Sequence, residues 1–113
     1  MTVALRFAEF TAELARTGAP ASAEHAAKRC LLDWYGGTLA GGVVAPATLL
    51  SEALAGCAGP ARLLPGKQGF DARTAALING VASHSVEVDD IYRPGLYHPG
   101  SPVISVAMAP VSY

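Results

Sequence analysis

Apolar positions recur at helical spacing through most of this chain. Phe7, Phe10, Thr11 and Leu14 fall at i, i+3, i+4 and i+7, while Arg6, Glu9, Glu13 and Arg16 lie mostly off that stripe. The pattern predicts an amphipathic helix ended near Gly18 and Pro20. Ser22 is placed to cap a second helix with Glu24 in its first turn, and Ala27, Cys30, Leu31 and Trp34 make its apolar stripe. The pairs Gly36-Gly37 and Gly41-Gly42 either stop this helix or let a neighbour approach closely. Pro46 suits the first turn of a third helix running to about residue 55. Gly56, Gly59, Pro60, Pro65 and Gly66 then interrupt the pattern and leave residues 61–64 as a short extended piece. Asp71 caps a fourth helix over roughly 72–86, and Ser101-Pro102 has the form of a cap and first residue for a fifth. The expected class is all-α, a multi-helix array with one short extended segment near 61–64.

Composition supports that reading and narrows the partners. The chain has 113 residues, 51% of them apolar and only 15% charged, with 22 alanines that favour closely packed helices. A net charge of −1 without a Lys/Arg cluster argues against nucleic acid or an anionic membrane surface as partner. Cys30 and Cys57 form no paired motif, which predicts two reduced thiols rather than a disulfide or a metal knuckle. Glu9 and Glu13 interrupt what a secretory signal would need to keep apolar. The long uncharged run 34–51 carries two glycine pairs and Pro46, unlike a membrane span. Together these place the chain in the cytoplasm.

The chemistry concentrates in NGVASHSVEVDDIYRPGLYHPGSP, residues 79–102. Glu87, Asp89 and Asp90 fall at or just past a helix end, where the macrodipole is negative and clustered acids need compensation. Glu87 lies three residues after His84, so a continuing helix would put both on one face, to hydrogen-bond or to share a cation. His98, in Tyr97-His98-Pro99-Gly100, precedes a helix start where backbone N–H groups of Gly100 and Ser101 can face an anion. It is either a turn histidine or a general acid or base for a carboxylate-bearing substrate. Asp89 and Asp90 can act as a base, orient His98, hold a metal, or form a solvated acidic turn that caps the next element. Arg93 either neutralises these acids or clamps a substrate carboxylate. Asn79 either packs against backbone or points into the site, and His25, beside Lys28 and Arg29, reads as a solvated helix face. No G-x-G-x-x-G, G-x-S-x-G or H-E-x-x-H pattern occurs, which removes support for hydride transfer, serine hydrolysis and zinc-peptidase chemistry.

Taken together, the run 75–84 (AALINGVASH), then Glu87-Val88-Asp89-Asp90, then His98-Pro99-Gly100 and an apolar helix start resemble the 2-methylcitrate dehydratase (MmgE/PrpD) family. Leu31-Leu32-Asp33 with Gly36 and Leu39-Ala40-Gly41 is similar to that family's N-terminal helices, and the resemblance runs from about Phe7 to Ala109. It implies the N-terminal part of a larger all-helical domain. The rest of that domain and a smaller lid domain would lie outside these residues, and the full-length form would be homodimeric. It further implies proton chemistry beside a carboxylate of a small polycarboxylic acid, as in propionate catabolism, with no iron–sulfur cluster, other cofactor or metal. The family also contains a cis-aconitate decarboxylase and an iminodisuccinate epimerase. Carried over by residue, the resemblance points to Asp89, Asp90 and His98 as catalytic. Glu87 stands where the family commonly has aspartate, and Ile91 where it commonly has a hydroxyl residue.

The expected function is therefore part of a lyase that abstracts an α-proton and expels water, with His98 as acid or base and Asp89 or Asp90 tuning it. Glu87, Arg93, Gly100 and Ser101 are expected to hold substrate, and the isolated chain is expected to be inactive because half a composite site cannot supply both proton-transfer partners. Two other readings stay open. One is a non-catalytic truncated helical module that self-associates through uncovered apolar faces, a reading suggested by the PVSY ending. The other is a small cation-binding bundle using Glu87, Asp89, Asp90 and His98.

Overall fold

The computed structural model describes residues 1–110; residues 111–113, most of the PVSY ending, lie outside the described residues. Five helices and one two-stranded ribbon follow in the order α1 (Val3–Thr17), α2 (Ala21–Gly41), α3 (Ala47–Ala53), β1 (Ala58–Arg62), β2 (Gly69–Phe70), α4 (Ala72–His84) and α5 (Gly100–Met108). The chain is mostly helical, as its periodicity predicts, with the extended segment at 58–62 instead of 61–64.

Helix α1 is the amphipathic helix expected, with the Thr2 hydroxyl accepting from the Leu5 N–H at 3.3 Å. Every one of its residues is exposed, including Phe7 and Phe10. The Cα radius of gyration of 15.4 Å exceeds the roughly 13 Å of a compact chain this long. Helix α2 corrects one expectation and decides another. It starts at Ala21 behind Pro20, so Ser22 is its second residue and not its cap. It also runs straight through Gly36-Gly37 and ends at Gly41, so of the two roles open to the glycine pairs, Gly37 and Gly41 take the close approach of a neighbour. A Cβ on Gly37 would lie 2.9 Å from the Ser83 carbonyl oxygen, and one on Gly41 would collide with that of Ala82. The backbones of α2 and α4 therefore approach as closely as small residues allow. Helix α3 is shorter than expected, with Pro46 at its N-cap.

The apolar core lies where the ribbon meets α4: Ala61, Leu63, Phe70, Ala75 and Ile78 are buried together, with Leu50, Leu54 and Cys57 against them. β1 and β2 pair antiparallel, with a register irregularity between Ala58 and Ala61. Asn79 ties α4 to the following loop. Its Oδ1 accepts from the Leu64 N–H at 3.1 Å and its Nδ2 donates to the Arg62 carbonyl at 3.0 Å. Of the two roles open to Asn79 the structure gives the packing one. On the other side of α4, the Trp34 indole N–H donates to Ser105 Oγ at 2.9 Å in a buried contact that pins α2 to α5. Helix α4 thus sits at the centre, with α2, α3, α5 and the ribbon around it, and its C-terminal end delivers the site.

Candidate functional site

Asp71 caps α4 as predicted, accepting from the Thr74 N–H at 3.1 Å and the Thr74 hydroxyl at 2.7 Å. Those hydrogen bonds hold its carboxyl below the ordinary carboxylate range. The other end of the helix falls earlier than the apolar pattern suggests, at His84. Glu87 is consequently off the helix, exposed and in the left-handed region at φ 52°. It does not share a helical face with His84.

The chain then turns back, and the two adjacent aspartates take different partners. Asp89 Oδ2 accepts from His84 Nδ1 at 2.9 Å and from the Ser101 hydroxyl at 3.0 Å, and lies 3.3 Å from His98 Nδ1. Its side chain is only 4% exposed. Burial pushes the Asp89 carboxyl up, but the His84 and Ser101 hydrogen bonds together outweigh it, so the group rests below its ordinary value as a carboxylate. The His84 and His98 rings stand 4.8 Å apart, tilted by 58°. Asp90 turns the other way, and its Oδ1 accepts from the Gly100 N–H at 2.9 Å.

This arrangement corrects the expected start of α5. The helix begins at Gly100 behind Pro99, so Ser101 is not its cap. Asp90, ten residues upstream, supplies the capping oxygen instead, and the Gly100 N–H is taken by it. A Cβ on Gly100 would come within 2.5 Å of that oxygen, so a larger residue there would have to displace the Asp90 carboxylate. Freed from capping, the Ser101 side chain serves Asp89. Thus the two aspartates past the end of α4 are compensated: Asp89 by His84 and a hydroxyl, Asp90 by the N-terminal end of α5.

Arg93 does not neutralise the aspartates. It is exposed on a short tongue closed by a Tyr92–Tyr97 bridge, with the Tyr92 N–H donating to the Tyr97 carbonyl at 2.8 Å. Among the described residues it makes no ion pair with either aspartate. His84, weighed only as a partner of Glu87, belongs to the centre of the cluster. Its spacing to the acidic pair carried that signal, since one turn past a helix end is enough to bring a loop carboxylate back onto the last helical side chain.

His84, Glu87, His98 and Ser101 line the polar end of an open groove of about 1460 Å³ whose walls are largely apolar, from Leu54, Leu77, Val81 and Val106. Two buried polar atoms there have no hydrogen-bond partner among the described residues, Asp89 Oδ1 and His98 Nδ1. Although His98 Nδ1 is near Oδ2, the angle does not make a hydrogen bond. Cys30 and Cys57 are both free thiols. No helix among the described residues is long and apolar enough to cross a membrane.

Compared with known families, residues 5–113 match the model described as MmgE/PrpD N-terminal domain. No curated protein and no solved structure matches the chain.

Proposed function

The chain belongs to the MmgE/PrpD family, and from that premise and the site geometry we propose that it is part of a 2-methylcitrate dehydratase-like lyase acting on small polycarboxylic acids. The observation that carries the proposal is the pairing of His98, on the groove, with the buried carboxylate of Asp89 at 3.3 Å. With Nδ1 turned to Asp89, Nε2 is the ring nitrogen left for substrate. His98 takes the proton α to a substrate carboxylate, and the imidazolium that forms is stabilised by the carboxylate behind it. Ser101 and His84 keep Asp89 ionised and oriented, so that both act as positioning residues. Asp90 holds the start of α5, which fixes His98 two residues before it. A substrate carboxylate then finds the N-terminal end of α5, with the Ser101 N–H in its first turn, and Arg93 reaches it only if the tongue folds over the groove.

We place the remaining proton-transfer group, the lid and a homodimeric form outside these residues. The open groove and the exposed stripe of α1 support this, because in a finished site both faces would be covered. The 113-residue chain alone is therefore expected to dehydrate neither 2-methylcitrate nor citrate. In a full-length form, His98→Asn should lower kcat by about a hundred- to ten-thousand-fold without changing the melting temperature. Retained turnover in that variant would remove His98 from the mechanism. Product analysis separates dehydration from decarboxylation or epimerisation, which begin from the same proton abstraction.

A further inference from the structure

We propose that the cleft between α3 and the turn joining β1 to β2 is a binding site for a small zwitterion, a free α-amino acid with an apolar side chain. The cleft has a volume of about 380 Å³ and shares no lining residue with the groove beside His98. That is near the lower end of the roughly 300–1,000 Å³ of small-molecule sites, which limits the ligand to one of amino-acid size. The floor is apolar and buried, with Ala47, Leu63 and Ile78 at 1%, 8% and 3% exposure. The walls carry opposite charges. On α3, Thr48, Ser51 and Glu52 fall at i, i+3 and i+4, so two hydroxyls and a carboxylate share one helix face. The turn supplies Lys67.

The charges decide the class of ligand. Glu52 and Lys67 line one cleft, yet among the described residues neither makes an ion pair, with the other or with any third group. Opposite charges that border a cavity without closing on each other suit a molecule that carries both, its ammonium on Glu52 and its carboxylate on Lys67. A simple anion or cation would satisfy one and be repelled by the other. The Thr48 and Ser51 hydroxyls, half-buried on the Glu52 wall, can accept from the same ammonium. An apolar side chain then covers Leu63 and Ile78, which water otherwise meets at the floor. The far wall is held in advance. Asn79 accepts from the Leu64 N–H at 3.1 Å and donates to the Arg62 carbonyl at 3.0 Å, fixing the chain that enters the turn against α4. Binding therefore has less backbone to order.

The test is calorimetric titration of L-leucine into the protein, with isocaproate, which lacks the ammonium, and isoamylamine, which lacks the carboxylate, as controls. The expected result is one saturable leucine site and binding of either control weaker by about tenfold or more. Glu52→Gln and Lys67→Met should each weaken leucine by a similar factor. Both side chains are exposed, so both variants should keep the fold, which circular dichroism checks. In Lys67→Met the gap between leucine and isoamylamine should close, a change that a merely structural role for Lys67 would not produce. Absent saturation, equal binding of leucine and the two controls, or an affinity that neither variant moves overturns the site. His98→Asn should leave leucine affinity unchanged; weakening there would put the ligand in the groove and overturn the site as well. The inference does not rest on the lyase reading: loss of turnover in His98→Asn without leucine binding in the parent would retain that reading and sink this one.

Discussion

The adjacent glycines of α2 should respond to alanine with opposite signs, and the structure fixes both. Gly36 is exposed in the interior of the helix with nothing within 4 Å of where a Cβ would stand. Alanine there reduces the freedom of the unfolded chain and stabilises by about 0.5–1 kcal/mol. Gly37, one residue on, is buried against α4, and its Cβ would press on the Ser83 carbonyl at 2.9 Å. That is some 0.4 Å inside ordinary carbon–oxygen contact at about 3.3 Å. Helix backbone cannot swing aside as a side chain does, so α2 and α4 must separate, at a cost of about 1–3 kcal/mol for overpacking, less the same entropic gain. At Gly41 the collision is with the Ala82 carbonyl and is more severe, so the loss should exceed that at Gly37. For a domain of about 100 residues each kcal/mol moves Tm by roughly 4–8 °C. Thermal denaturation followed at 222 nm should therefore rank Gly36→Ala above the parent, then Gly37→Ala, then Gly41→Ala. A neutral or stabilising Gly41→Ala would refute the close crossing of α2 and α4, and with it the placement of His84.

Two more outcomes follow from buried polar groups. Ser105→Ala leaves the Trp34 indole N–H buried without its acceptor and should cost about 1–3 kcal/mol, read as a lower urea midpoint, whereas an unchanged midpoint would show that water replaces the hydroxyl. The depressed Asp89 pKa makes stability depend on acid: its contribution is fully present above the unfolded value of about 3.9 and is lost as pH falls through the lower folded value. Asp89→Asn should flatten that part of the stability–pH curve while Asp71, whose carboxyl shifts the same way, keeps its share. Identical acid limbs in variant and parent would contradict the hydrogen-bonded carboxylate.

Helix existence was readable because apolar spacing and caps act locally. The stripe of α1 and the Asp71 cap lie within one turn of the residues they organise, and both appear as expected. At the start of α5 a partner distant in sequence overrode a local signal. Ser101-Pro102 has the form of a cap, yet Asp90 provides the oxygen from ten residues away. Gly36-Gly37 left a break and a close approach both open, and the crossing of α4 more than forty residues later uses Gly37 for contact. For the site, the types of residue and the segment that carries them were legible, while their grouping was not. Periodicity put His84 with Glu87, but a helix that stops at His84 hands it to Asp89.

The division of labour between Asp89 and Asp90 explains how two like charges coexist beside a helix end. Neighbouring residues in a non-helical segment send their side chains to opposite sides, so one carboxylate reaches back to α4 while the other reaches forward to α5. Each meets a hydrogen-bonding group, His84 Nδ1 for Asp89 and the Gly100 N–H for Asp90, so the repulsion expected from an adjacent acidic pair is offset by two separate contacts. The same geometry makes the roles non-interchangeable. Asp90 sets where α5 begins, and that start places Ser101 against Asp89 and His98 3.3 Å from it. Asp89 is thereby the carboxylate at which both histidines converge, His84 at 2.9 Å and His98 at 3.3 Å.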